Sequence, residues 1–338
     1  MTITTTAAPE RVTFADIELD DTSRDALGRK LLAVGDPTAQ PDTSLTQLHQ
    51  AFAALPLTTL QRIIDFGRHT GAPGVALVRN LPTDPVLPPT PADGGPSTEK
   101  ATFVAEGNLL GLSGLLGEPV GVTSEKAGQL VHDVIPVPTG ATTQTNMGSA
   151  VFLNFHNDIV FDHSKIYTVS NPDFLVLSCV RSDPEGVAST YYADARDISA
   201  ALPTDALDEL RKPVFRLNAP GNFCRSVGKA EVYSLPVPLI SGPEAFPEVS
   251  ASANGVLAMT KRGAAAIETL QAVCREVSHA VRLRPGDALL INNRKGLHAR
   301  SQFTARHDGT DRWLQRSYVR RSLWTIRHRL QDGELRVF

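Results

Sequence analysis

Cysteine is scarce and odd in number: three in 338 residues, at Cys179, Cys224 and Cys274, with no Cys-x-x-Cys pair. Neither a disulfide framework nor a cysteine-bound zinc is expected, and a reducing cytoplasm fits best. Long apolar runs are missing too. None approaches the roughly 18 residues of a spanning helix, so no membrane association is expected. The opening Met1-Thr-Ile-Thr-Thr-Thr6 has neither a basic nor an apolar region, so no secretion leader is expected. An excess of one charge is also lacking. Lys and Arg number 33 against 36 Asp and Glu, a net −3 that gives no global field for nucleic acid.

What is present is a globular composition, 41% hydrophobic and 20% charged, able to fill a sizeable core. The charge is unevenly spread. From Arg294 to Arg329 the chain is dense in Arg and His, with only Asp308 and Asp311 as acids, a local excess that could hold a small anion. Residues 1–42 are polar and rich in Thr, Asp and Pro, and are expected to form an N-terminal segment that is partly disordered. The rest, 43–338, is expected to form one domain.

Apolar residues recur at helical spacing from Thr43 to Thr70, with Pro56 dividing two helices and Gly71 closing the second. Residues 74–81 read as a buried strand, and the Pro- and Gly-rich run 82–97 as a long surface loop. A helix is predicted from Ser97 to Leu116. From Gly128 onward short β-branched and aromatic runs alternate with turn residues, at 129–135, 151–155, 174–179 and 188–193. Two short helices follow at about 195–201 and 203–211. The stretch 260–280 reads as an amphipathic helix, and the end as strands at 287–292, 297–303 and 313–325. The sum is a β core wrapped by helices.

The sharpest local feature is Leu153-Asn-Phe-His156-Asn-Asp158-Ile-Val-Phe161. His156 and Asp158 are two apart on a predicted strand, so both point to one face, among apolar neighbours. A histidine and a carboxylate so placed suit a metal, and two histidines plus one carboxylate make the facial triad of non-haem iron oxygenases. An isolated His-x-Asp is weak evidence, and a loop or hydrogen-bonded core histidine is the plainer reading. The candidate third ligand is His298, on a strand after a polar turn. The plainer reading of His298 is a sheet-edge histidine. His163 is out of register with Asp158. His49, His69, His307 and His328 sit in helical, turn or basic contexts. In Arg312-Trp-Leu-Gln-Arg316-Ser-Tyr-Val-Arg320, residues 312, 314, 316, 318 and 320 share one strand face. Three arginines on one face repel one another unless they hold anions, and the guanidinium fork matches a carboxylate. An exposed basic edge strand is the competing reading.

Taken together, His156-x-Asp158, His298 and Arg312 fourteen residues later resemble the Fe(II)/2-oxoglutarate-dependent dioxygenases. The resemblance is closest to the clavaminate synthase-like branch, with its asparagine and arginine hydroxylases of peptide-antibiotic biosynthesis. Asn292-Asn-Arg-Lys-Gly-Leu-His298 through Arg312-Trp-Leu-Gln-Arg316 is the most specific stretch, and the likeness covers most of the chain after about residue 70. It implies a mainly β fold, a double-stranded β-helix (jelly roll) core with N-terminal and inserted helices. It implies Fe(II) on His156, Asp158 and His298, with 2-oxoglutarate and O₂ as co-substrates. Arg312 would meet the distal carboxylate of 2-oxoglutarate, with Thr190 beside it. Arg316 would hold the substrate α-carboxylate, and Gln129 and Asn146 its backbone.

Two departures stand out. Close amino-acid hydroxylases usually carry Glu where this chain has Asp158; halogenating relatives put a small residue there, so halogenation is not expected. Relatives that bind basic or amide side chains place acids some 45–50 positions before the distal histidine, and residues 250–259 here contain none. The resemblance therefore implies hydroxylation of a free or carrier-linked amino acid with a non-cationic side chain, unless Asp162 or Glu231 supplies the missing acid. Two other classes compete: a zinc hydrolase on the same triad, which leaves the arginine strand unexplained, and a metal-free jelly-roll binding protein, which leaves the four residues together unexplained.

Overall fold

Period-two alternation puts two apolar sets on opposite faces of the same strands, and this sets the layers. In β2 (Val75–Arg79), Val75 and Leu77 join one core cluster and Ala76 and Val78 another. In β13 (Ala288–Asn292), Leu289 and Ile291 face one way, Ala288 and Leu290 the other. Strands covered on both faces read as continuous apolar runs, as in Phe174-Leu-Val-Leu-Ser-Cys-Val of β6 (Phe174–Arg181). The computed structural model describes residues 12, 14–145, 147–161, 171–330 and 336–337.

The larger sheet has the order β1-β2-β13-β6-β15-β3, with β4 also paired to β15; β1 is Ala15–Glu18, β3 Glu118–Val120, β4 His132–Val134 and β15 Trp313–Arg320. The smaller sheet has the order β12-β7-β14-β5; β5 is Leu153–His156, β7 Thr190–Asp194, β12 His279–Val281 and β14 Gly296–Arg300. Leu77, Leu175, Leu289 and Tyr318 of the first sheet meet Tyr192 and Val281 of the second, forming a two-sheet jelly-roll core. Short strands β8 (Phe215–Leu217), β9 (Ile240–Ser241), β10 (Glu248–Val249) and β11 (Val256–Ala258) form two small hairpin pairs beside it.

Helices α1 (Asp21–Val34), α2 (Pro41–Phe52), α3 (Leu57–Arg68) and α4 (Val104–Leu116) cover the outer face of the larger sheet. The break at Pro56 falls where the sequence put it, and Pro56 is the N-cap of α3. Helices α5 (Ala195–Ala201), α6 (Thr204–Leu210) and α7 (Gly221–Ser226) follow β7 and β8, and α8 (Lys261–Val277) packs on the outer face of the smaller sheet. Thr260 caps α8 by accepting from Gly263 N at 2.8 Å, and Ala266, Leu270, Val273, Cys274 and Val277 form its buried stripe. No described helix is long and apolar enough to cross a membrane.

The structure adds detail to one expectation and corrects two. Within residues 1–42, 15–34 are ordered: β1 runs parallel to β2, and Asp20 caps α1 through Ser23 N at 2.8 Å. The reason is a narrow apolar stripe, Ile17, Leu27 and Leu31, all at most 2% exposed, in otherwise polar sequence. The helix predicted from Ser97 starts at Val104 instead, because the Asp84 carboxylate accepts from Val104 N and Ala105 N and so caps it there. Strand β5 ends at His156, so Asp158 lies beyond the ladder.

Candidate active site

At one end of the two-sheet core the facing side chains become polar and enclose a cavity of about 460 Å³. The sheet pairing brings the first two candidates together. His298 of β14 lies directly across from His156 of β5, with ring centroids 4.2 Å apart. Asp158 Oδ1 is 3.8 Å from His156 Nε2 and 3.9 Å from His298 Nε2, and one atom from each of the three residues falls within 4.8 Å of the others. Ligand atoms at about 2.1 Å from one metal and at right angles stand roughly 3.0 Å apart, so a small inward movement closes the triad.

The imidazoles are prepared for this. His156 Nδ1–H donates to Asn154 O at 2.7 Å, which turns the Nε2 lone pair into the cavity. Burial pushes the pKa of His156 below the usual range and that of His298 well below it, so both rings are neutral, the form that ligates. The edge of β5 is held by Gln271 of α8, which accepts from Phe155 N at 3.2 Å and donates to Phe155 O at 2.9 Å.

Strand β15 alternates as the sequence indicated. Arg312, Leu314, Arg316 and Tyr318 line the cavity, while Arg320 turns away to Asn171 O and Asp173. Arg312 is 7% exposed, and its polar contact is a 3.4 Å bond from Nη2 to Thr190 Oγ1; no carboxylate among the described residues is paired with it. Burial is the first cause lowering its pKa. Arg300 of β14 is buried alongside, donates to Gly148 O and Val151 O, and has its pKa lowered to about 10, first by burial and then by Arg312. Two buried guanidiniums without a carboxylate are costly unless an anion joins them. The cavity therefore fits an acidic co-substrate at Arg312, as the triad fits a divalent metal.

Arg316 has a different setting. Its Nη1 donates to Asp158 Oδ2 at 2.7 Å, and its Nη2 to Glu125 Oε1 at 2.6 Å and to His132 Nδ1 at 3.2 Å. Asp158 thus turns one oxygen to the histidines and the other to Arg316. Glu125 also accepts from Tyr318 Oη at 2.9 Å. His132 Nε2–H donates to Gln129 O at 2.9 Å, and burial, ahead of the nearby Arg316, lowers the His132 pKa to about 4, so its Nδ1 is free to accept.

Sequence reasoning missed Glu125 and Arg300, both of which line the cavity. Gln129 is corrected: its side chain is exposed and does not line the cavity, because the turn at 126–128 points it outward and leaves Glu125 facing in. Asn146 lies outside the described residues, as do Asp162 and His163; Glu231 is exposed and does not line the cavity.

Two neutral histidines and an aspartate in a jelly roll, facing a buried arginine with no carboxylate partner among the described residues, are the arrangement of the non-haem iron, 2-oxoglutarate-dependent oxygenases. The family model for "Taurine catabolism dioxygenase TauD, TfdA family" matches residues 45–318, and this chain belongs to that family. It is an Fe(II)- and 2-oxoglutarate-dependent oxygenase. L-asparagine oxygenase of Streptomyces coelicolor is 36% identical over 285 residues, covering 83% of this chain and 82% of that protein. L-lysine 3-hydroxylase of Catenulispora acidiphila is 32% identical over 281 residues, covering 81% and 74%. The solved structure of asparagine oxygenase with Fe(II), 2S,3S-3-hydroxyasparagine and succinate matches with a TM-score of 0.84 at 32% identity, over 96% of this chain and 98% of that one.

Proposed function

We propose that this protein hydroxylates a C–H bond of a free α-amino acid whose side chain is neutral or acidic. His156, Asp158 and His298 hold the iron, and Arg312 with Thr190 receives the distal carboxylate of 2-oxoglutarate. Arg316 takes the substrate α-carboxylate through the Nη2 that otherwise bonds Glu125, and Glu125 turns to the ammonium group. When bound, iron, 2-oxoglutarate and O₂ supply the oxidant, and 2-oxoglutarate leaves as succinate and CO₂. The protein's own part is to anchor both carboxylates and fix the target carbon. Leu175, Leu177 and Leu314 exclude water around it. A free amino acid is favoured over a carrier-linked one because a thioester has no carboxylate for Arg316.

The side-chain preference rests on the charges around the cavity. Its lining has five cations, Lys126, Arg225, Arg300, Arg312 and Arg316, and two carboxylates, Glu125 and Asp158. Asp158 is taken by the metal and Arg316, and Glu125 by the substrate's own ammonium group, so neither is left for a cationic side chain. The remaining wall offers Asn222, Ser252 and Asn254 as neutral polar groups, and Arg225 has no ion-pair partner among the described residues. A substrate ammonium or guanidinium there would face an arginine and meet no free carboxylate among the described residues. The single observation that carries the reading is the buried Arg312 in the same cavity as the triad, with no carboxylate paired to it among the described residues.

The test is a panel of amino acids incubated with Fe(II), 2-oxoglutarate and O₂, measuring succinate and oxygenated product by mass spectrometry. Coupled turnover is expected among asparagine, glutamine, aspartate and glutamate. Coupled turnover confined to lysine, ornithine or arginine would overturn the side-chain assignment.

A further inference from the structure

Asp158 sits two residues past the end of β5, buried at 8% exposure, with no strand ladder to take its backbone groups. Buried backbone N–H and C=O groups must be paired. Here one side chain pairs both. Asn293 Oδ1 accepts from Asp158 N at 3.0 Å, and Asn293 Nδ2 donates to Asp158 O at 2.8 Å. The same Nδ2 also donates to Pro172 O at 3.0 Å. A single amide thus does for Asp158 what a neighbouring strand would do.

A second amide runs the opposite way. Asn157, between two of the ligands, donates through Nδ2 to Asn293 O at 2.6 Å and to Gly296 O at 3.1 Å, in the turn that leads into His298. Its Oδ1 accepts from Ala251 N at 2.9 Å, and its own N donates back to Ala251 O at 2.9 Å. Both asparagines are 3% exposed, and every side-chain donor of each is used. The next three residues after Ala251, namely Ser252, Ala253 and Asn254, line the cavity.

We propose that Asn157 and Asn293 are positioning residues. They form a crossed pair of amides that sets Asp158 relative to His298 and ties both to the 251–254 wall of the substrate cavity. Asn293 fixes the carboxylate ligand through its peptide, and Asn157 carries the position of the wall to the ligand turn. The role of the wall rests on the amino-acid reading above; the role toward the metal does not. An outer contact of this kind is typically worth roughly 10–100-fold in metal affinity.

The test uses the whole protein with Fe(II) titrated anaerobically, without substrate, on wild type, Asn293→Ser and Asn157→Ser. Asn293→Ser is expected to weaken Fe(II) binding by roughly 10–100-fold while the far-ultraviolet circular dichroism is retained. Asn157→Ser is expected to lower hydroxylated product per succinate at least about twofold with the 2-oxoglutarate KM unchanged, since it loosens the wall rather than the co-substrate anchor. If Asn293→Ser does not fold, Asn293→Asp decides the matter. It keeps the acceptor toward Asp158 N–H and loses the donor toward Asp158 O, and wild-type Fe(II) affinity in it would overturn the proposal. Wild-type Fe(II) affinity in Asn293→Ser, or unchanged coupling in Asn157→Ser, would equally reduce the pair to ordinary packing. The iron titration needs no substrate, so a wrong substrate class would leave that arm intact.

Discussion

The helix side of β15 and Arg312, the residue that leads into the strand on the cavity side, bury charge in opposite ways. On the helix side, Trp313 Nε1 donates to Asp133 Oδ1 at 2.6 Å and Gln315 Nε2 to Glu106 Oε1 at 2.7 Å. Lys100, with a side chain 2% exposed, lies 3.0 Å from Asp84 Oδ2 and bonds Glu106. The cation there is fully claimed by carboxylates within the chain. On the cavity side, Arg312 is as deeply buried and has a hydroxyl for company. A buried charge partnered inside the chain holds the fold together; one left without a counter-ion marks where a ligand completes the structure. The two lie on opposite sides of the same sheet, around β15.

The largest effect that tests this contrast belongs to the triad. His298→Ala should abolish iron retention and turnover while the fold persists, because His298 faces the cavity rather than the helix layer; metal content by mass spectrometry checks it. Full iron occupancy in that variant would move the metal elsewhere. Arg312→Leu comes next. Loss of one partner of a buried charge pair costs roughly 3–5 kcal/mol, so the 2-oxoglutarate KM should rise by roughly two to three orders of magnitude. The thermal midpoint of the ligand-free protein should be unchanged or higher, since an unpaired buried cation has been removed. Lys100→Met should do the reverse. It should lower stability by about 3 kcal/mol in denaturant titration, because Asp84 and Glu106 remain buried, and leave the 2-oxoglutarate KM as it was. If both variants behaved alike, the distinction between the faces would be lost.

The smallest effect is acid sensitivity. His132 has a folded pKa lowered to about 4 by burial, against about 6.5 when exposed. Above pH 6.5 neither state is protonated and stability is intact. Between pH 6.5 and 4 the unfolded chain binds a proton that the folded one does not, so stability falls with falling pH, by about 2 kcal/mol at pH 5. His132→Gln keeps an acceptor for Arg316 and should flatten that slope. A slope identical to wild type would assign the acid sensitivity to other groups.

The contrast also shows what the sequence could disclose. Local period-two signals placed His156, Arg312 and Arg316 on the cavity side, because a strand converts alternation directly into facing. His298 and Arg312 stood in a stretch specific enough to carry a family resemblance. Glu125 had no such signal. It lies in a turn without periodicity, and its partner Arg316 is 191 residues away. Gln129 faces outward in the same turn, where the backbone at Lys126 and Ala127 takes positive φ, a reversal that strand periodicity does not disclose. The Lys100 cluster was hidden because Asp84 lies inside the Pro- and Gly-rich run and Lys100 just after it, in sequence that reads as surface loop, yet both residues are buried. The N-terminal strand and helix were masked by polar composition, although Asp20 as a cap and the Leu27/Leu31 spacing were a legible signal.

Arg312, with Thr190 but no carboxylate paired to it among the described residues, is placed to receive 2-oxoglutarate. Calorimetric titration of 2-oxoglutarate into the anaerobic Fe(II) form of wild type and Arg312→Leu tests it most directly. The account predicts equal iron content in the two proteins and loss of roughly two to three orders of magnitude in 2-oxoglutarate affinity in the variant. Equal affinity, or a variant that fails only because it has lost its iron, would contradict it.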